Sequence, residues 1–284
     1  MNTHEAIVKV RGLTKTYGDV QALAGIDFDI YRGEVFSLLG PNGAGKSTAI
    51  EILEGYRRRS GGTAQVLGED PEHATRAWRA RVGIVLQSAG LPDEMTVREL
   101  VAHFSRFYLT PRNTDEVIEH VGLTAKSRAR IGTLSGGQKR RLDVALGIIG
   151  RPELLFLDEP TTGFDPEARH HFWDLIRHLR DEGTTILLTT HYLDEAAQLS
   201  DRAAVVTNGR IVAEGAINGI GGTDARTPVV RWIDDDGPHE VRTSRPTALV
   251  ANLSARNNSG EVPHLEIVRP SLEDIYLDIV GAAK

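Results

Sequence analysis

The run "VFSLLGPNGAGKST", Val35 to Thr48, constrains the fold of this chain more than any other stretch. A short apolar strand runs straight into a glycine-rich turn, and "STAIEILEGY" follows with Ile50, Leu53 and Tyr56 at helical spacing. Gly40, Gly45, Lys46 and Ser47 stand at the spacing of a P-loop, with Pro41, Asn42, Gly43 and Ala44 between them and Thr48 after. Glycines let consecutive backbone N–H groups turn toward a phosphate without Cβ clashes. The helix beginning near Lys46 adds its positive dipole end, Lys46 a point charge for β- and γ-phosphates, and Ser47 a hydroxyl suited to Mg²⁺. A chance match in a chain of this length has odds on the order of one in a hundred. The strand before and the helix after are the context a P-loop requires.

Such a loop demands a sheet with parallel strands, and the rest of the chain supplies one. "AIVKVRGLTKTYG" and "ALAGIDFDI" read as antiparallel strands. "VGIVLQ", "ELLFLDEP" and "TTILLTTH" are short buried strands, and "AAVVTNGRIVAEG" is a hairpin about Asn208-Gly209. A helix from Pro166 to Gly183 carries Phe172, Leu175, Ile176 and Leu179 on one face. Strands alternating with helices imply a mostly parallel sheet. Between them, residues 88–150 read as an inserted helical subdomain. "TVRELVAHFSRFYL" and "TDEVIEHVGL" each enter through a threonine cap. The first domain spans 1–220. The Gly-rich "INGIGGTDARTP" reads as a linker, and 221–284 as a small α+β appendage whose clearest element is "PSLEDIYLDIVG", with Ser271 and Asp274 as its cap.

Asp158 and Glu159 close the buried strand "LLFLDEP". Ligands of open parallel sheets gather at the carboxyl ends of strands, which points both acids toward the P-loop. Asp158 there suits Mg²⁺, and Glu159 is free to orient or deprotonate a water. Gln87 and His191 end apolar strands and point to the same edge. Asp165 in "DPEAR" is also a good helix N-cap, with Pro166 at the first helical position. Arg57-Arg58-Arg59 reads as a solvated helix end.

A further segment, "TLSGGQKRRLDVAL", opens a helix at Ser135, Gly136 and Gly137, whose exposed N–H groups suit an anion. Only the polar "KSRARIGT" precedes it, and it has no lysine cradle of its own. It is half of a phosphate site.

The composition narrows the options. The net charge of −6 argues against broad nucleic-acid binding, so no nucleic-acid partner is expected. Absence of cysteine excludes disulfides and thiolate chemistry. There is no signal-peptide pattern at "MNTHEAIVKV" and no apolar run of about 18 residues, so the reading is cytosolic. No HExxH or Cys/His cluster supports zinc, and no NKxD motif supports a GTPase.

"GPNGAGKST", Gln87, "LSGGQ", "LLFLDEP", "TTGFDP" and "TTH" at His191 occur in the order found in ATP-binding cassette (ABC) ATPases, and the chain resembles that family from about Ile7 to Gly215. The resemblance implies an α/β fold: a P-loop NTPase (RecA-like) core with an antiparallel β subdomain, the inserted helical subdomain and the C-terminal appendage. It implies that Tyr17 stacks on adenine and that Lys46, Ser47 and Thr48 hold phosphates and Mg²⁺. Gln87 completes the metal and water shell, Glu159 is the general base, and His191 contacts the γ-phosphate. Ser135, Gly136, Gly137 and Gln138 cover the nucleotide of a second cassette packed head to tail, and Asp165 lies in the loop that meets that protomer. The cofactors implied are ATP and Mg²⁺.

Within the family, "LDVALGIIGRPELLFLDEPTTGFDPEAR" and "PSLEDIYLDIVG" resemble drug-resistance (daunorubicin-type) exporter ATPases, with Phe164 where many relatives have leucine. That implies a homodimer or heterodimer of ATPase domains, paired with an integral membrane permease at the cytoplasmic face of a bacterial membrane. Arginine outnumbers lysine 27 to 6, in keeping with a GC-rich bacterial genome. The alternatives are a soluble ABC ATPase acting on ribosomes or DNA, or an import ATPase. Against the soluble alternative, the chain has one motif set and only about 47 residues between Gln87 and Leu134. The import reading is disfavoured by the C-terminal resemblance alone.

Overall fold

The structure, a computed structural model, describes residues 5–85, 90–234, 236–256 and 260–282. It divides into two units, Met1–Ile217 and Asn218–Lys284.

In the first unit, β1 (Ala6–Tyr17) and β2 (Val20–Tyr31) form a long antiparallel pair, and β3 (Val35–Leu39) leads into α1 (Lys46–Leu53). β4 (Gly61–Val66) returns to pair with β1, giving an antiparallel sheet of order β2-β1-β4. The short α2 (Arg76–Arg79) precedes β5 (Val82–Val85). Then come α3 (Val97–Ser105), α4 (Thr114–His120) and α5 (Gly136–Ile148), followed by β6 (Leu154–Asp158), α6 (Pro166–Asp181), β7 (Thr185–Thr189) and α7 (Leu193–Leu199). β8 (Arg202–Thr207) and β9 (Arg210–Ala216) close the unit. The six-stranded sheet runs β5-β6-β7-β3-β8-β9, parallel throughout except for the β8–β9 hairpin. Asn208 (φ 51°) and Gly209 (φ 69°) both take the positive φ that a type I′ turn needs, as the sequence predicts.

The parallel strands are covered on both faces, which explains their unbroken apolar runs. Phe36, Leu38, Phe156, Leu187 and Ala204 pack against α1 and the antiparallel sheet, with Phe28 stacked on Phe36 at 5.6 Å. Their neighbours Val35, Leu155, Leu157, Ile186 and Leu188 pack on the other face against the layer that includes α3 to α6.

Several local expectations change. α4 is capped by Asn113, whose carboxamide oxygen accepts from Asp115 and Glu116 N–H; Thr114 is already the first helical residue. Thr96 does cap α3, in a full capping box with Glu99, but that helix stops at Ser105 and Leu109 lies wholly exposed. Tyr56 does not join Ile50 and Leu53 in the core: α1 ends before Gly55 (φ 76°), and Tyr56 is 80% exposed. Arg59 is no solvated end, because it grips Asp70 through two hydrogen bonds of 2.8 and 2.6 Å.

In the second unit, a one-turn helix, α8 (Gly222–Ala225), interrupts the stretch expected to be a linker. β10 (Val229–Asp234) pairs antiparallel with β11 (Gly237–Arg242) and, after α9 (Pro246–Arg256), with β12 (Glu266–Val268). α10 (Leu272–Ala282) opens as expected: Ser271 Oγ accepts from Asp274 N–H, and the Asp274 carboxylate accepts from Ser271 N–H. Leu272 and Ile275 are its buried residues.

Candidate active site

The loop Gly40–Gly45 leaves the carboxyl end of β3 in the middle of the parallel sheet. Main chain surrounds it. A Cβ on Gly40 would lie 2.2 Å from Val206 O, and one on Gly45 would lie 2.5 Å from Ala22 O. Both positions have positive φ, so glycine is required twice over. The β8–β9 turn braces the loop from the side: Gly209 N–H donates to Ala44 O at 3.1 Å and Gly209 O accepts from Ala24 N–H at 2.8 Å. Lys46 is 6% exposed, and its Nζ donates to Gly40 O (2.7 Å) and Pro41 O (3.1 Å), folding back across the loop it begins from. Burial pulls its pKa below the usual lysine value, while the charges of Glu159 and Asp158 oppose that. Asn42, Gly43 and Ser47 are exposed and accessible to a ligand.

The neighbouring strands bring the acids to the same edge. Asp158 ends β6, and its carboxylate accepts the hydroxyl hydrogen of Thr189 at the end of β7. Glu159 follows with φ 46°, a left-handed conformation rare outside glycine. Its N–H donates to Thr189 O at 3.0 Å. Beyond β7, His191 places Nδ1 3.3 Å from Glu159 Oε2, with its ring against Tyr192. Lys46, Asp158, Glu159 and His191 thus converge as the strand-end rule predicts. Gln87 lies outside the described residues.

Tyr17 stands at the tip of β1, 38% exposed, with Lys15 Nζ 5.0 Å and Arg57 Cζ 5.2 Å from its ring centre. A partly exposed ring with two cations over it suits a nucleobase attached to phosphates.

The half-cradle opens α5 as expected. Ser135 is the N-cap: its Oγ accepts from Gln138 N–H (3.3 Å) and Gln138 Oε1 accepts from Ser135 N–H (3.0 Å). The S-x-x-Q spacing is a capping box, a signal legible in the sequence. It leaves the N–H groups of Gly136 and Gly137 for a ligand, and a Cβ on Gly136 would meet nothing within 4 Å. This cleft is shared with Thr162–Asp165, and no P-loop residue lines it. Asp165 caps α6, accepting from Ala168 N–H at 2.7 Å, so its helix role is real and leaves one carboxylate oxygen over.

The sequence does not single out the buried acids Glu54, Asp143 and Glu195. Glu54 and Asp143 line a cleft of about 430 Å³ with residues of β5 and α3, and burial lifts their pKa values to about 8 and about 6. Their burial comes from packing across the fold, which spacing along the chain does not report.

Residues 23–162 match the family model described as "ABC transporter". The chain is 44% identical to the daunorubicin/doxorubicin resistance ATP-binding protein DrrA of Streptomyces peucetius, over 99% of this chain and 94% of that protein. It is 39% identical to the Nod factor export ATP-binding protein I of Ralstonia nicotianae, over 97% and 94% respectively. Among solved structures it is similar to cbiO1 of Clostridium perfringens, part of an ABC transporter complex. There the TM-score is 0.66 and the identity 30%, covering 75% of this chain and 89% of that one.

Proposed function

Because the chain belongs to the ATP-binding cassette family of transporter ATPases, we propose that two such ATPase domains bind Mg-ATP head to tail and drive a separate membrane permease exporting a drug-like or lipid-like compound. The chain itself is an ATP-binding ATPase. The observation that carries the export reading is the reach of the likeness. It extends over 97–99% of the chain to proteins named for drug resistance and Nod factor export, far beyond the residues of the family model.

In this mechanism Tyr17 receives the adenine, and the N–H groups of the loop 40–48 with Lys46 hold the phosphates. Glu159 takes the proton of the attacking water, and His191, beside Glu159, contacts the γ-phosphate. A Mg²⁺ ion, when bound, offsets charge on the β- and γ-phosphates. The donors fit it: Ser47 offers an exposed hydroxyl, and Asp158 a carboxylate that accepts from the Thr189 hydroxyl through Oδ1. Among the described residues no group of three His, Cys, Asp or Glu is placed to hold a metal alone. That suits an ion taking its remaining ligands from phosphates and water. Ser135 to Gln138, with Asp165 nearby, close over the nucleotide of the opposite protomer.

No helix among the described residues is long and apolar enough to cross a membrane. A place on the cytoplasmic face of a bacterial membrane therefore depends on the permease. Co-expression with a multi-span partner should give a complex that accumulates an amphipathic dye in inverted vesicles only with ATP; inward-only cargo movement into cells would instead support an importer. The trans arrangement has its own test. Mixing Ser135→Ala with Lys46→Ala subunits should restore activity in hybrid dimers, which keep one intact site. No recovery after proven mixing would count against it.

A further inference from the structure

The residue that follows Lys139 on α5 reaches back into the catalytic edge of its own chain. Arg140 is 6% exposed. Its Nη2 donates to Asp158 O at 2.5 Å and its Nε to Pro160 O at 3.1 Å. Those carbonyls belong to the residues on either side of Glu159, a non-glycine residue with a left-handed backbone (φ 46°). A non-glycine residue holds such a conformation only where its surroundings impose it. From the β7 side, Thr189 O and Thr189 Oγ1 accept from Glu159 N–H at 3.0 and 3.2 Å. From the α5 side, the planar guanidinium grips both flanking carbonyls with charge-assisted hydrogen bonds, a fork that a lysine does not reproduce.

We propose that Arg140 is a positioning residue for hydrolysis, fixing the turn at Glu159 and with it the aim of the carboxylate at the attacking water. This rests on the reading of Glu159 as the base. Arg140 acts through Glu159, whose two flanking carbonyls it holds. It stands on the second turn of the helix whose first turn is Ser135–Gln138, so one rigid element carries both.

Full-length wild type, Arg140→Ala, Arg140→Lys, Glu159→Gln and the double variant Arg140→Ala/Glu159→Gln are compared by single-turnover ATP hydrolysis with enzyme in excess. ATP affinity is measured in parallel. Arg140→Ala should lower the hydrolysis rate about 10- to 100-fold, the scale of a small misplacement of a catalytic group, with ATP affinity changed less than about 3-fold. Arg140→Lys should recover part of the rate, and it carries the comparison if Arg140→Ala melts below assay temperature. In the Glu159→Gln background, Arg140→Ala should cost less than about a further 3-fold, because the route it acts through is already gone. A wild-type rate for Arg140→Ala, affinity falling in step with rate, or losses that multiply in the double variant would each overturn the proposal. A wild-type rate for Glu159→Gln refutes the base itself; a slow Glu159→Gln with multiplying losses refutes only the role of Arg140.

Discussion

Replacing Glu159 by glutamine is expected to slow ATP hydrolysis about 100-fold or more while ATP binding persists, the loss general-base removal brings. Glutamine keeps the length of the side chain and a polar atom within reach of His191 Nδ1, now 3.3 Å from Glu159 Oε2. It has no basicity. It also removes one negative charge from the place where a γ-phosphate would sit, so affinity for ATP should hold or rise. Phosphate-release kinetics and calorimetric titration with ATP check the two halves separately. Hydrolysis at the wild-type rate would remove Glu159 as the base, and a parallel collapse of affinity would point to a structural role instead.

Lys46→Ala should have the opposite signature, with binding and turnover falling together. Hydrogen bonds to charged groups contribute about 1.5–3 kcal/mol, so ATP affinity should weaken about 10- to 150-fold. The side chain also donates to Gly40 O and Pro41 O, and its loss frees the loop to open before any phosphate arrives. Lys46→Arg is the informative companion, since a planar guanidinium would replace a compact ammonium on a side chain only 6% exposed. Unchanged affinity for Lys46→Ala would mean that the glycine-rich turn is not a phosphate cradle.

Motifs made of neighbouring residues were readable from the chain, because their chemistry and their spacing lie in one segment. The loop at 40–48, the strand-end acids, the β8–β9 turn and the start of α5 all stand where the sequence places them. Features set by contacts across the fold were not. Arg140 meets Asp158 and Pro160 some twenty residues away, and in sequence it is one more arginine in a basic run. Glu54 and Asp143 look like ordinary polar positions on helices until the packing buries them. Local competition explains the rest: Asn113 outcompetes Thr114 because its carboxamide oxygen reaches two N–H groups at once. Gly55 ends α1 before Tyr56 can share its apolar face.

The phosphate loop is supported by main-chain atoms of Ala22, Ala24, Val206 and Gly209. Peptide groups are common to every residue type, so the half-buried side chains at 22 and 24 are open to change while the cradle keeps its shape; Val206, fully buried, is held by core packing as well. Glycines 40, 45 and 209 are the exceptions, because a Cβ at any of them would strike a carbonyl oxygen. Substitution at 22 and 24 can thus leave the shape of the loop intact, provided positions 40, 45 and 209 stay bare.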